Sequence, residues 1–220
     1  MKVDHHLDEA TLLQYASGDL DEAFTIVVAA HIAMCDECRH AARAAVEVGG
    51  GALENSEAAA LDSGSFEQLM LKLGSDQDIV KDVRPVRVDG HRGDVPLPLV
   101  RHVGENLDAI RWRTIGPGVR KHTIKQSTAS KSSLYMLHIA PGTAVPEHGH
   151  GGAELTLILS GTYTDAFGAF SRGDIADLDE HVEHQPMVEG EMPCICLVAT
   201  EAPTRFKDIF SRLLQPLIGI

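Results

Sequence analysis

Residues 142–161 read GTAVPEHGHGGAELTLILSG, with two histidines one residue apart, a glutamate four residues on, and an apolar run closed by glycine. Successive side chains of an extended chain point to opposite faces, so His148, His150 and Glu154 share one face if the stretch runs as a strand. Two imidazoles and a carboxylate turned into a sheet make most of a divalent-metal site. The later segment GDIADLDEHVEH, residues 173–184, can return past the first and offer His184 as the fourth ligand. Three histidines and one glutamate suit Zn, Mn, Fe, Ni or Cu, and the donor set does not choose among them. Open coordination positions would admit water, a substrate or a signal molecule. The plainer alternative, surface histidines on a hairpin, fits poorly with the regular spacing of glycines and ligands.

The flanking sequence keeps this strand-like character. SSLYMLHIAPG (132–142), FGAFSRGDIADLD (167–179) and EMPCICLVAT (191–200) are short β-branched and aliphatic runs divided by Gly and Pro. From about residue 96 onward they predict an all-β sandwich or barrel. Cys194 and Cys196 alternate on one apolar strand and are read as core residues rather than ligands. The tail returns to helical spacing, with Phe206, Ile209, Phe210, Leu213 and Leu214 on one stripe that packs on the barrel and Pro216 as its stop.

Upstream the period is helical. Asp8 can cap a helix holding Leu12, Leu13 and Ala16, with Gly18 near its end. Asp21 can cap a second, on which Phe24, Val27, Val28 and His31 recur. A third carries Cys38, Ala42, Ala45 and Val46 until the glycines at 49–51 stop it. SFEQLMLKLG (65–74) sets Phe66, Leu69, Met70 and Leu73 on one face, between Ser65 as cap and Gly74 as stop. That face must cover its own domain or a partner. The charged, Gly- and Pro-broken stretch that follows is an interdomain linker, placed at 81–95.

The motif HIAMCDECRH, residues 31–40, lies in this helical part. On a helix His31, Cys35 and Cys38 point to about 0°, 40° and 340°, one shared direction. Imidazole with two thiols suits zinc, which takes four ligands. His40 points about 200° away from Cys38 and is excluded. His5 or His6, just before the first helix, can complete a Cys2His2 site. One metal would then tie the N-terminus to the second and third helices and supply much of the folding free energy. Two buried cysteines and a satisfied histidine are the plainer alternative, but the spacing with a spare upstream histidine favours metal.

Composition narrows the class. The 220 residues, 44% apolar, allow one large or two small domains. No run of 18 apolar residues and no apolar leader is present, so the expected compartment is the cytoplasm. Two close cysteine pairs in a reducing compartment read as metal or redox sites before structural bridges. Net charge is −13, and residues 1–84 hold 16 acidic against 6 basic side chains, a balance of −10. Such a segment repels phosphate backbones and favours a basic protein partner.

The HH at 5–6 followed by HIAMCDEC resembles the zinc-binding anti-sigma domain, a small helical domain that clamps an extracytoplasmic-function sigma factor. The resemblance implies His6, rather than His5, with His31, Cys35 and Cys38 as the zinc ligands. Redox-responsive members often carry cysteine at the first position, so His6 argues against disulfide-driven zinc release as the switch. The pattern from Gly142 to Gly161 is similar to the first cupin motif, G-x5-H-x-H-x3-E-x6-G. The second, G-x5-P-x-G-x2-H, matches in part: Gly173 and His184 are in register, Asp179 stands at the proline and His181 at the glycine. The resemblance therefore places His181 close to the site.

The order of the two resemblances is that of ChrR-type anti-sigma factors. It implies a multidomain α plus all-β chain: a zinc-stapled helical domain (1–80), the linker, and a cupin (double-stranded β-helix, jelly-roll) barrel with a C-terminal helix (96–220). It further implies Zn2+ in the first domain and a second divalent metal, with zinc expected, at His148, His150, Glu154 and His184. The implied function is non-enzymatic. The chain would sequester a sigma factor and release it on a signal sensed at the cupin, such as singlet oxygen, another oxidative stress or a small molecule, with no direct contact to nucleic acid or membrane. The rival reading is a metal-dependent cupin enzyme, a dioxygenase or isomerase, with an accessory zinc domain. A DNA-binding repressor would need a basic helical face, which residues 1–84 lack.

Overall fold

The computed structural model describes residues 2–75 and 93–207. Helix α1 (Glu9–Ser17) starts where the extended Asp8 accepts a hydrogen bond from the Ala10 amide, and ends at Gly18 in the left-handed region. Helix α2 (Glu22–Met34) is capped in the same way by Asp21. At Cys35 the backbone becomes extended (φ −114°, ψ 113°), and its Sγ accepts from the Cys38 amide as α3 (Asp36–Glu54) begins. The chain thus breaks and restarts within the C-x2-C motif.

Three expectations are corrected. Gly49–Gly51 do not stop α3, which runs on to Glu54. Each glycine costs a helix only about 1 kcal/mol, and Ala52, Leu53 and Glu54 are good helix formers. Residues 97–103, expected to belong to the strand region, form helix α5 (Leu97–Val103), which tolerates Pro98 because prolines suit a first helical turn. The stripe assigned to a C-terminal helix cannot begin at Phe206, which lies in strand β11 (Arg205–Phe206). Phe206 packs at a tilt on His148 (centroids 5.9 Å, 56°), and its strand pairs with β4 (His148–Gly149) opposite that residue, which overrides the helical spacing. The remainder of that helix lies outside the described residues. So does most of the expected linker, whose last residue, Val95, is buried. Helix α4 (Ser65–Ser75) forms as expected.

The β region holds a six-stranded sheet in the order β1 (Arg113–Gly116), β2 (Val119–Thr123), β3 (Ser133–Ile139), β10 (Cys194–Thr200), β5 (Glu154–Ser160), β8 (Ile175–Leu178). Facing it are a short sheet, β11 with β4 (His148–Gly149) and β9 (Glu183–His184), and the hairpin of β6 (Thr162–Asp165) and β7 (Gly168–Ser171). The described β region is a cupin-like barrel.

The central strands are apolar on both faces, which decides how the molecule is assembled. From β3, β5 and β10, the side chains of Tyr135, Ile158, Cys196 and Val198 fill the barrel interior. Leu134, Met136, Leu155, Leu157 and Leu197 belong to a second cluster, which also contains Phe24, Val27 and Val28 of α2. A strand with both faces covered has no reason to alternate with polar residues. The helical region and the barrel thus share one core. Val27 is fully buried in it. Val27→Asp is expected to cost about 4 kcal/mol or more, since an unpaired carboxylate would be buried. Circular dichroism should show helix and sheet signals falling together at a lower midpoint. Separate transitions would mean that the shared core is not cooperative.

Candidate metal centres

In the first cluster, ligand atoms of His6, His31, Cys35 and Cys38 all lie within 4.8 Å of one another. His6 Nδ1 is 3.3 Å from Cys35 Sγ and 3.6 Å from Cys38 Sγ. A tetrahedral zinc site with ordinary bond lengths has N–S edges of about 3.6 Å. His31 Nδ1 donates to the Gly173 carbonyl at 3.0 Å, which leaves a lone pair on its Nε2. That Nε2 is buried and has no hydrogen-bond partner among the described residues. A lone pair stranded in this way fits a cation. Burial holds the His31 imidazole down at about 4, so it is neutral and ready to ligate. Burial pushes the Cys38 thiol up to about 11, so a thiolate there needs a metal to stabilise it.

His5 goes elsewhere. Its ring stacks on Phe170 (centroids 4.0 Å, 22°) and its Nε2 contacts the Ala169 carbonyl at 3.2 Å. His40 is exposed.

The second cluster joins His148, His150, Glu154 and His184, all buried. Strands β4 and β9 pair antiparallel with His148 opposite His184, so the returning strand does supply the fourth group. The expected continuous strand does not exist, however. After Gly149 the chain leaves β4, turns through Gly151 and Gly152, and enters β5 at Glu154 in the other sheet. A Cβ at Gly151 would stand 2.8 Å from the Ala202 Cβ, so the close packing of this turn requires glycine. Convergence of the three groups comes from this turn rather than from strand parity.

Proton positions favour a cation here too. His148 Nδ1 donates to the Pro146 carbonyl at 2.9 Å, and His184 Nδ1 to the Asp165 carboxylate at 2.9 Å. Both Nε2 atoms then carry lone pairs, yet they face each other at 3.1 Å. Two lone pairs at that separation repel unless a positive ion lies between them. His150 Nε2 is buried without a partner among the described residues, and its Nδ1 lies 3.2 Å from Glu154 Oε2. Burial lowers His148 to about 4. Burial alone would raise the Glu154 carboxyl, but the three imidazoles beside it hold it below its ordinary value. A neutral imidazole at His148 beside an ionised Glu154 is the pairing that a divalent ion requires of them.

Asp165, which orients His184, gave no sequence signal, because its partner is 19 residues away and in another strand. His181, expected near the site, is instead exposed and beside Glu180. Cys194 and Cys196 are buried thiols in the barrel core, and burial pushes Cys194 up to about 12.

Residues 101–203 match the ChrR cupin-like domain family. The chain is 42% identical to the anti-sigma-E factor ChrR of Cereibacter sphaeroides over the full length of both. It is also similar to the anti-sigma ChrR in a crystal structure with Rhodobacter sphaeroides SigE. There the TM-score is 0.75 at 41% identity, over 90% of this chain and 99% of that one. With such identity along its whole length, the chain belongs to the ChrR family of anti-sigma factors.

Proposed function

We propose that this chain sequesters an extracytoplasmic-function sigma factor with its helical region and releases it when the barrel receives a signal, with singlet oxygen or another oxidative stress as the candidate. One observation carries the reading: the open face of α4. Phe66, Leu69, Met70 and Leu73 are 69%, 53%, 52% and 66% exposed on one helical stripe. Such a stripe in water marks a contact surface. It lies in a segment whose charge balance is −10, which favours a partner with basic surroundings. The DNA-contacting helices of a sigma factor offer that. The complex solved for the ChrR relative with SigE supports the same partner class.

We assign the grip to residues 1–80, the connection to 81–95 and sensing to 96–220. His6, His31, Cys35 and Cys38 would hold Zn2+ with all four positions filled, which makes that ion a staple. His148, His150, Glu154 and His184 would hold a second divalent ion, zinc being expected, which would act as a Lewis acid towards an oxygen ligand. No helix of the described residues is long and apolar enough to cross a membrane.

The two clusters have a physical connection. Asp174 Oδ1 accepts the Asp4 and His5 amides (2.7 and 3.1 Å), and Asp177 accepts the Asp8 amide at 3.1 Å. His6 therefore sits in an arm held along β8, and Gly173, just before that strand, fixes the His31 ring. A shift in the segment leading from Gly173 to His184 would disturb both first-cluster histidines. An enzyme with an accessory domain has no use for this bracing, which favours regulation over catalysis. The test is co-purification of the metal-loaded full chain with the sigma factor encoded nearest its gene, followed by transcription in vitro. A stable complex that silences transcription is expected, and failure to form one with both metals present would sink the proposal.

A further inference from the structure

A partly open cavity of the barrel lies beside the second cluster, lined by His148, Glu154 and His184 together with the apolar Leu137, Val145 and Val198. Tyr163 of β6 also lines it. This side chain is 2% exposed, and its hydroxyl has no hydrogen-bond partner among the described residues. A buried phenol without a partner calls for an explanation, because burial without a hydrogen bond is costly. Its ring is fixed by stacking on Phe170 (centroids 4.9 Å, 18°), which is itself stacked on His5. Burial raises the Tyr163 phenol well above its ordinary value, so it stays a donor at any physiological pH. It therefore asks for an oxygen acceptor.

Size and charge narrow the occupant. The space open to the centres of water-sized groups is about 50 Å3, which admits only a small molecule. Glu154 and Asp165 are both buried carboxylates and together balance a divalent ion. An added anion would leave the centre with uncompensated charge beside these buried carboxylates. A neutral molecule avoids this, and a carbonyl oxygen has two lone pairs, one for the ion and one for a phenol.

We propose that the barrel binds a small, neutral carbonyl compound of about three to five carbons, with Tyr163 donating to its oxygen and the alkyl part against Leu137, Val145 and Val198. This deepens the sensing role proposed above and rests on it. Occupancy would bear on Tyr163, and through Phe170 on His5, next to the first-cluster ligand His6.

The test uses the full chain loaded with Co2+, whose visible spectrum reports a change in coordination, titrated with 2-butanone. Saturable binding in the millimolar range is expected, with Tyr163→Phe weakening it about tenfold, as loss of one buried hydrogen bond would. Butyrate and butylamine are expected not to compete. Should the Phe variant fail to fold, Val145→Phe puts a larger side chain into the cavity wall and must abolish binding. No saturable binding, tighter binding of butyrate, or unchanged affinity in the variants would overturn the inference. Sigma-factor capture by the same sample separates the two proposals. A sample that captures the sigma factor but binds no ketone refutes only the cavity assignment, and one that does the reverse refutes only the anti-sigma reading.

Discussion

Cys38→Ser is expected to remove one of two bound metals and at least a hundredfold of the affinity for the sigma factor. The first cluster draws its groups from three places: His6 on the N-terminal arm, His31 on α2, and Cys35 and Cys38 where α3 begins. Their convergence closes the helices around one point, and structural zinc supplies on the order of 10 kcal/mol at such sites. Serine is a poor replacement, since a hydroxyl stays protonated where a thiolate would bind zinc. Without the ion the buried Nε2 of His31 is stranded, and the arm is left with its contacts to the barrel, the bonds to Asp174 and Asp177 and the stacking of His5 on Phe170. Metal analysis should fall from two ions per chain to one, and gel filtration with the sigma factor should show no complex. Retention of both metals and of the complex would mean that Cys38 is a core thiol.

His184→Ala is expected to have the complementary result. The second ion should bind more than a hundredfold more weakly, because even partners that only orient a ligand, as Asp165 does, contribute 10–100-fold. The His184 ring also packs against the His148 ring (centroids 4.6 Å), so its loss opens the barrel side of the site. The first cluster lies on other elements and should keep its zinc, so capture of the sigma factor should persist while the response to the signal disappears. Two readouts check this: metal stoichiometry with a chelator series, and transcription before and after an oxidative challenge. If the variant lost capture as well, the barrel would be part of the grip.

Much of both clusters was legible in the chain because their chemistry is local. His31, Cys35 and Cys38 fall on one side of a helix however the helix is broken, and the break at Cys35 kept that direction. His148, Glu154 and His184 were legible through motif spacing, although the argument from strand parity failed at Gly151 and Gly152. A turn that needs glycine for close approach to Ala202 cannot be told from sequence without knowing that Ala202 is there. The choice between His5 and His6 is of the same kind. Both precede α1, and only the position of Phe170 gives His5 a ring to stack on.

The stretches ELTLILS and CICLVAT were rich in aliphatic residues, and that richness marked them by itself as strands to be buried. It could not say by what, because burial depends on apolar area and carries no record of its source. Only the tertiary structure decided that α2 of the helical region is the cover, with Phe24, Val27 and Val28 set against Leu155, Leu157 and Leu197. The same holds for Asp165 on His184, Gly173 on His31 and Asp174 on the arm, contacts between residues 19 to 170 positions apart. Residue type and short spacing determined which side chains can bind metal. Contacts over long separations decided how those side chains are oriented and how one site can influence the other.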